Sequence, residues 1–283
     1  MRISIVTDIH HGRESRTCSD LRDPAWPVLE AVGRFVDRAG GGGYDAIIDL
    51  GDRIADFDRE SDLHHLSELA AIFGRFDGER VHILGNHDIV NLTVADNADT
   101  LASSAASRVV DLGSARLIAW QPGVSFDYRS GTFERASQQL DWLIDALVQD
   151  DRPAIIATHV SFAGRTQTGN YYHHHAPSYS AHPDHHEVRV AVENTGRAAL
   201  WLSGHSHWNT WSNISNIHHI TIQSLTERFT TYPNTAGAYA DLTIEDDQFT
   251  LDVHGHDPLH IRLPFRRSGD RPWVAPMLRT PAV

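Results

Sequence analysis

The sequence predicts an α/β fold, with a largely parallel inner sheet, helices on its face and a more antiparallel region after it. Three observations carry this. The apolar runs Ile3 to Val6, Ala46 to Leu50, Val81 to Leu84, Ala154 to Ala157 and Ala198 to Leu202 have strand length, and several intervening segments have apolar residues at helical spacing. Strands that alternate with helices imply parallel neighbours, because a parallel pair needs a crossover connection. Each run also ends in a short polar motif, so polar groups gather at one edge of a sheet.

The elements follow in order. After the first strand, His11 to Pro27 is polar and turn-rich and reads as a loop on the motif-bearing edge, with Arg13 and Arg16 in it. Val28, Leu29, Val32, Phe35 and Val36 form a helical stripe over Val28 to Arg38, which Gly40 to Gly43 stops. A second stripe, Leu63, Leu66, Leu69, Ala70 and Phe73, makes Ser61 to Phe73 a helix before the third strand. Arg116 to Trp120 reads as a strand, and Ser137 to Val148 as an amphipathic helix that buries Leu140, Leu143, Ile144 and Leu147. A further helix is expected near Val188. Past residue 207, short strands around Ile217 to Gln223, Ala238 to Ile244 and Phe249 to His254, with Asp246-Asp247 at a turn, read as a second, more antiparallel sheet packed on the first.

Composition bounds the function. A chain of 283 residues with 41% hydrophobic and 22% charged residues can bury a full core, so a single globular domain over 1–263 is expected. The stretch 264–283 has no usable periodicity and is left as an arm, a dimer contact or an unstructured tail. A formal charge of −13 disfavours a long cationic surface, so nucleic acid is not the expected partner. The single cysteine, Cys18, rules out an intramolecular disulfide and a thiolate metal site. No apolar run approaches 20 residues, and a motif begins at residue 8 with no room for a leader before it; a cytoplasmic protein without membrane contact is the expectation.

The motifs are Asp8-Ile9-His10, Gly51-Asp52, Gly85-Asn86-His87-Asp88, His159 and Gly204-His205-Ser206-His207. Aspartate, asparagine and histidine offer oxygen and nitrogen donors suited to Mn²⁺, Fe²⁺/Fe³⁺, Zn²⁺ or similar cations, and an open hydrolytic site fits them better than a closed structural one. Gly51 is placed to let the backbone turn at a strand end, and Gly85 and Gly204 hold the same kind of position. Asp8 and Asp52 bring less negative charge than two divalent cations bring positive, so the pocket would attract an anionic phosphoester.

In this order the motifs resemble those of the calcineurin-like metallophosphoesterases, D-x-H, G-D, G-N-H-[E/D], H and G-H-x-H. The resemblance runs from the first strand through Ile244. It implies a four-layer α/β/β/α sandwich of two mixed sheets flanked by helices, and two metal ions. By the same resemblance, Asp8, His10 and His207 would hold the first ion, Asn86, His159 and His205 the second, with Asp52 bridging. His87 would stand beside the phosphoryl group to stabilise its oxygens or protonate the leaving alkoxide, with Asp88 orienting it, while metal-activated water attacks phosphorus in line. Arg53-Ile54-Ala55 after Asp52, and Leu84 before the third motif, depart from the protein serine/threonine phosphatases. The chain looks more like the bacterial branch of class III cyclic-nucleotide phosphodiesterases and glycerophosphodiesterases, which implies a small phosphodiester substrate; homodimerisation fits that branch. A phosphomonoesterase is the alternative within enzymes, and a non-catalytic metal-binding scaffold the alternative outside them.

Between His159 and the helix near Val188 lies a distinctive segment, Thr166 to His175 followed by His182, His185 and His186. It reads as a polar lid over the site, with an extra metal site as the competing reading. Asn170, Tyr171, Tyr172 and His173 are therefore candidate substrate contacts, together with Asn86 and His11. Arg13, Arg16 and Arg53 are weaker candidates for a non-bridging oxygen. His218, His219, His254 and His256 read as ordinary sheet or surface residues, and Cys18 as a bystander.

Overall fold

The computed structural model describes residues 1–12, 21–164 and 167–274. Cys18, Arg13 and Arg16 lie outside the described residues. Two six-stranded mixed sheets pack face to face. In the first, β1 (Arg2–Val6), β2 (Ala46–Asp49) and β3 (Glu79–His82) are parallel, and β12 (Tyr239–Glu245), β13 (Gln248–His254) and β14 (Leu259–Pro264) add antiparallel beyond β1. In the second, β5 (Arg116–Ala119), β8 (Ala154–Ala157), β9 (Ala198–Ser203) and β11 (Ile217–Thr221) are parallel, with β4 (Arg108–Asp111) and β10 (Thr210–Ile214) antiparallel at the edges. A small hairpin joins β6 (Phe126–Asp127) to β7 (Thr132–Phe133).

The strand period of two sorts the core into layers. Ile3, Ile5 and Ile48 of the first sheet meet Ile155, Leu200 and Leu202 of the second between the sheets. The alternate residues Val6 and Ile47 face outward onto α1 (Val28–Gly41) and α2 (Arg59–Phe73) through Val32, Phe35, Leu69 and Phe73. On the other side Ile156 and Trp201 face α4 (Leu140–Val148) and α5 (His185–Thr195) through Leu143, Leu147, Val188 and Val192. The result is the expected α/β/β/α order. α3 (Val94–Leu101) packs on α2 and opens with a capping box between Thr93 and Asp96; Asp58 caps α2 by accepting from the Ser61 N–H.

Two expectations need correcting. The strands after residue 207 do not form a sheet of their own: β11 lies parallel to β9, while β12, β13 and β14 extend the first sheet from the open edge of β1, with Ile3 opposite Leu242. Alternation in β12, with Ala240, Leu242 and Ile244 inward, marks a half-buried strand but does not say which edge it joins. For the same reason the motif-bearing strands do not share one sheet; three belong to the first and two to the second. Beyond Pro264 the chain still packs: Phe265 enters the inter-sheet core, the Gly269 N–H donates to the Gly196 carbonyl, and Asn216 Nδ2 donates to the Ser268 and Arg271 carbonyls. Among the described residues no helix is long and apolar enough to cross a membrane.

Candidate metal centre

The C-terminal ends of β1, β2, β3, β8 and β9 point at one place between the sheets. Backbone hydrogen bonds lock the first two motifs together, Asp8 N–H to the Gly51 carbonyl and His10 N–H to the Asp52 carbonyl, both at 2.9 Å. Two glycines are needed for close approach rather than for a turn: a Cβ on Gly85 would sit 2.2 Å from Asp52 Oδ1, and one on Gly204 would sit 2.0 Å from Thr7 Oγ1. Their φ angles are ordinary, so of the three motif glycines only Gly51, at φ 101°, serves the turning role expected for all of them.

Five of the expected ligands have left-handed backbone: Asp8 at φ 50°, His10 at 45°, Asp52 at 54°, His205 at 66° and His207 at 57°. Non-glycine residues adopt this region at a cost of roughly 1–3 kcal/mol each, and such strain gathers at functional sites. Here it turns each side chain off its strand end toward the shared space.

The donors fall into two groups, Asp8, His10, Asp52 and His207 in one and Asp52, His159 and His205 in the other, each with its ligand atoms within 4.8 Å of one another. Asp52 belongs to both. Asn86 Oδ1 lies 3.3 Å from His159 Nε2 and so joins the second. Asp52 Oδ2 is 3.3 Å from His159 Nε2 and 3.8 Å from His10 Nε2; His207 Nε2 is 3.1 Å from Asp8 Oδ1 and 3.2 Å from His10 Nε2. Three of the four imidazoles are held through the nitrogen pointing away from the group. His159 Nδ1 bonds the Leu50 carbonyl at 2.8 Å, His205 Nε2 the Tyr179 carbonyl at 2.7 Å, and His207 Nδ1 lies 3.1 Å from Glu227. Such an outer partner fixes the tautomer and leaves the other nitrogen to bind metal.

The residues fit a pair of cations. Asp8 Oδ1, 3.1 Å from His207 Nε2 and within the first group, is buried without a hydrogen-bond partner among the described residues, and the donor set contains no sulfur. Burial, aided by the charges of Arg22 and His87, holds His10 well below the usual imidazole range, and burial with the charge of His159 does the same to His205. His159 and His207 go the other way: against burial, the Asp52 carboxylate lifts His159 to about 9, and Asp8 with Glu227 lifts His207 to about 9. Without metal, both carboxylate contacts favour the doubly protonated ring.

The centre opens into a cavity of about 340 Å³. Asn86, His87, Tyr172 and His173 line it; His11, Asp88, Asn170 and Tyr171 do not. His11 turns to Glu68, at 2.8 Å. Asp88 lies beneath the floor, where it accepts the Gly85, Asp52 and Arg53 N–H groups and pairs with the Arg53 guanidinium at 2.9 Å. That guanidinium is fully buried between Asp88 and Asp49, so Arg53 does not reach substrate. Asn170 is a clamp for its own loop: its Nδ2 donates to the Ser206 carbonyl and its Oδ1 accepts from Tyr172 and His173 N–H. Tyr171 points outward and is 63% exposed. The histidine-rich segment thus reaches the site through Tyr172, His173 and Tyr179, and none of its six histidines belongs to a described group of metal-ligand geometry.

Besides the aromatic residues Phe126, Tyr128, Phe133 and Tyr179 that line the cavity, three polar site residues escaped sequence reasoning. Asp56 Oδ1 lies 3.2 Å from His87 Nδ1, Glu227 backs His207, and Arg22 lines the cavity 3.6 Å from Glu227. None lies in a motif, and no local signal in the sequence marks them.

Among solved structures, a dimetal phosphatase from Danio rerio has a TM-score of 0.73 at 14% identity over 93% of this chain and 98% of its own. The purple acid phosphatase PPD1 of yellow lupin has a TM-score of 0.64 at 14% identity, covering all of this chain and 57% of its own. GAP50, the anchor in the inner membrane complex of Plasmodium, has 0.58 at 11% identity over 94% and 89%. These likenesses establish the fold alone. No curated protein matches the sequence. The model of the calcineurin-like phosphoesterases matches residues 1–209, most of the chain and every motif described above, and the protein belongs to that family.

Proposed function

We propose that this phosphoester hydrolase is a phosphodiesterase, that Asp8, His10, His207 and Asp52 hold one transition-metal ion, and that Asp52, Asn86, His159 and His205 hold the second. The observation that carries the reading is the pair of buried donor groups sharing one carboxylate, with His87 at their edge. Two bound cations would supply an activated water and neutralise charge that develops on phosphorus. The chain's own residues do the rest. His87, its ring edge-on to His10 at 4.7 Å and its Nδ1 3.2 Å from Asp56, lines the cavity where it can donate to a phosphoryl or leaving-group oxygen. Arg22 adds a cationic wall for a non-bridging oxygen.

A cyclic nucleotide is favoured over a glycerophosphodiester because part of the cavity lining is aromatic. Phe126 packs edge-to-face with Tyr128 at 5.0 Å and with Tyr179 at 4.7 Å, and all three line the cavity. Such a wall suits a flat ring better than a polyol. The test is a hydrolysis screen over 2′,3′- and 3′,5′-cyclic nucleotides, glycerophosphodiesters and monoesters, with metal analysis of the same sample. We expect about two metals per chain and higher kcat/KM for cyclic nucleotides, both lost in Asp52→Ala. Preference for monoesters would replace the diester reading, and bound metals without turnover on any ester would support a scaffold.

A further inference from the structure

We propose that His11, His65 and Glu68 form a separate, mononuclear site for a first-row divalent cation, tying the loop after β1 to α2. The three donors have ligand atoms within 4.8 Å of one another, and the dinuclear groups contain none of them. Two nitrogens and one carboxylate on one side of a cation leave open positions for water, a donor set that Zn²⁺, Co²⁺ and Ni²⁺ accept.

The placement is built rather than incidental. His65 and Glu68 stand three residues apart on α2 and so share a face. His11 is fixed opposite them by its own backbone, its N–H donating to the Arg53 carbonyl at 2.7 Å and its carbonyl accepting from the Ala55 N–H at 3.2 Å. The His11 and His65 rings meet edge-to-face at 4.8 Å. Gly12 makes this meeting possible, because a Cβ there would lie 2.4 Å from His65 Nδ1, and the φ of 114° at Gly12 is one that side chains disfavour.

The plain alternative is a hydrogen bond between His11 Nε2 and Glu68 Oε2, which are 2.8 Å apart, with His65 as packing. That account leaves His65 Nδ1 buried and without a hydrogen-bond partner among the described residues, an arrangement that folded proteins avoid. A cation bound by the three side chains gives the ring a role that packing alone does not. The half-buried setting, with Glu68 34% and His11 15% exposed, predicts weaker and more exchangeable binding than at the dinuclear centre.

Equilibrium dialysis of the metal-stripped chain against Zn²⁺ at neutral pH, followed by elemental analysis, tests this. We expect the unaltered chain to hold about one Zn²⁺ more than either His65→Ala or Glu68→Gln. The same difference should persist between Asp52→Ala and Asp52→Ala/His65→Ala, which separates this site from the dinuclear reading: failure of that reading lowers all totals but leaves the difference. Adventitious binding by His173, His174 and His175 is common to every variant and cancels. Equal Zn²⁺ content in the unaltered chain and both variants, with circular dichroism showing all of them folded, overturns the proposal.

Discussion

Asp56 and Asp88 divide two tasks that sequence adjacency assigns to one residue. His87 and Asp88 are consecutive in a 3₁₀ turn, His87–Ile89, so their side chains leave the backbone in different directions. His87 goes to the cavity, and Asp88 goes under it to gather three backbone N–H groups and Arg53. Asp56, at φ 47°, reaches His87 from the loop after β2. We therefore expect Asp56→Asn to lower kcat on an activated diester by roughly 10- to 100-fold, with metal content and melting temperature held. Asp88→Asn should instead lower stability, by about 3–5 kcal/mol, because it leaves the Arg53 charge undercompensated in a dry site and turns an amide toward N–H donors. Urea melts and metal analysis of both variants decide the matter; a loss of kcat in Asp88→Asn with full stability would return the orienting role to Asp88. The donors that the structure brings together were legible because each motif is local, whereas Asp56, Glu227 and Arg22 reach the cavity only through the fold.

At the scale of elements, strands and helices were readable where burial imposes a period, and pairing was not. The runs Ile3 to Val6 and Ala154 to Ala157 are buried on both faces and stand out as continuous apolar segments, while α1 and α2 bury single stripes. β11 shows what the pattern hides. His218 and His219 read as ordinary sheet residues, yet His219 is buried, stacks on Trp201 at 5.4 Å, and has neither ring nitrogen hydrogen-bonded among the described residues. Burial pushes its pKa down to about 3, with the Arg189 charge adding to the effect. In the unfolded chain the imidazole titrates near its ordinary ~6.5. Between those values the unfolded state binds the extra proton, so this residue's contribution to stability is intact above pH ~6.5 and falls as pH drops toward 3. His219→Leu should accordingly flatten the loss of stability between pH 7 and pH 5 in urea titrations. An unchanged or steeper loss would mean that His219 finds a partner or water on protonation.

For the whole molecule, the centre is where two sheets are joined. Asp8, His10, Asp52 and Asn86 follow strands of the first sheet, and His159, His205 and His207 follow strands of the second, so ions held as proposed would act as cross-links through the middle of the sandwich. The sequence makes the motifs visible but not this division, since nothing local says that β8 and β9 pair with β5 and β11 rather than with β3. The division carries a consequence for stability. Without cations, the buried Asp8 and Asp52 carboxylates are met by imidazoles, the Thr7 hydroxyl and the His205 and His87 N–H groups, and the left-handed backbone at the five proposed ligands has no ligand bonds to offset its strain. Each site filled at about 100 times its dissociation constant adds about 2.7 kcal/mol, and for a chain of this size two such sites raise Tm by on the order of 10 °C. Chelation should lower Tm by that order, and amide exchange should accelerate first at the strand ends carrying Asp8, Asp52 and His205, with the α1 and α4 helices protected longer. Asp52→Ala should start at the lower Tm and respond little to chelator, since its loss takes a ligand from both groups at once. If elemental analysis proves that metal has left the unaltered chain while Tm stays where it was, the two sheets hold together through the apolar core alone and the cross-link contributes nothing to the fold.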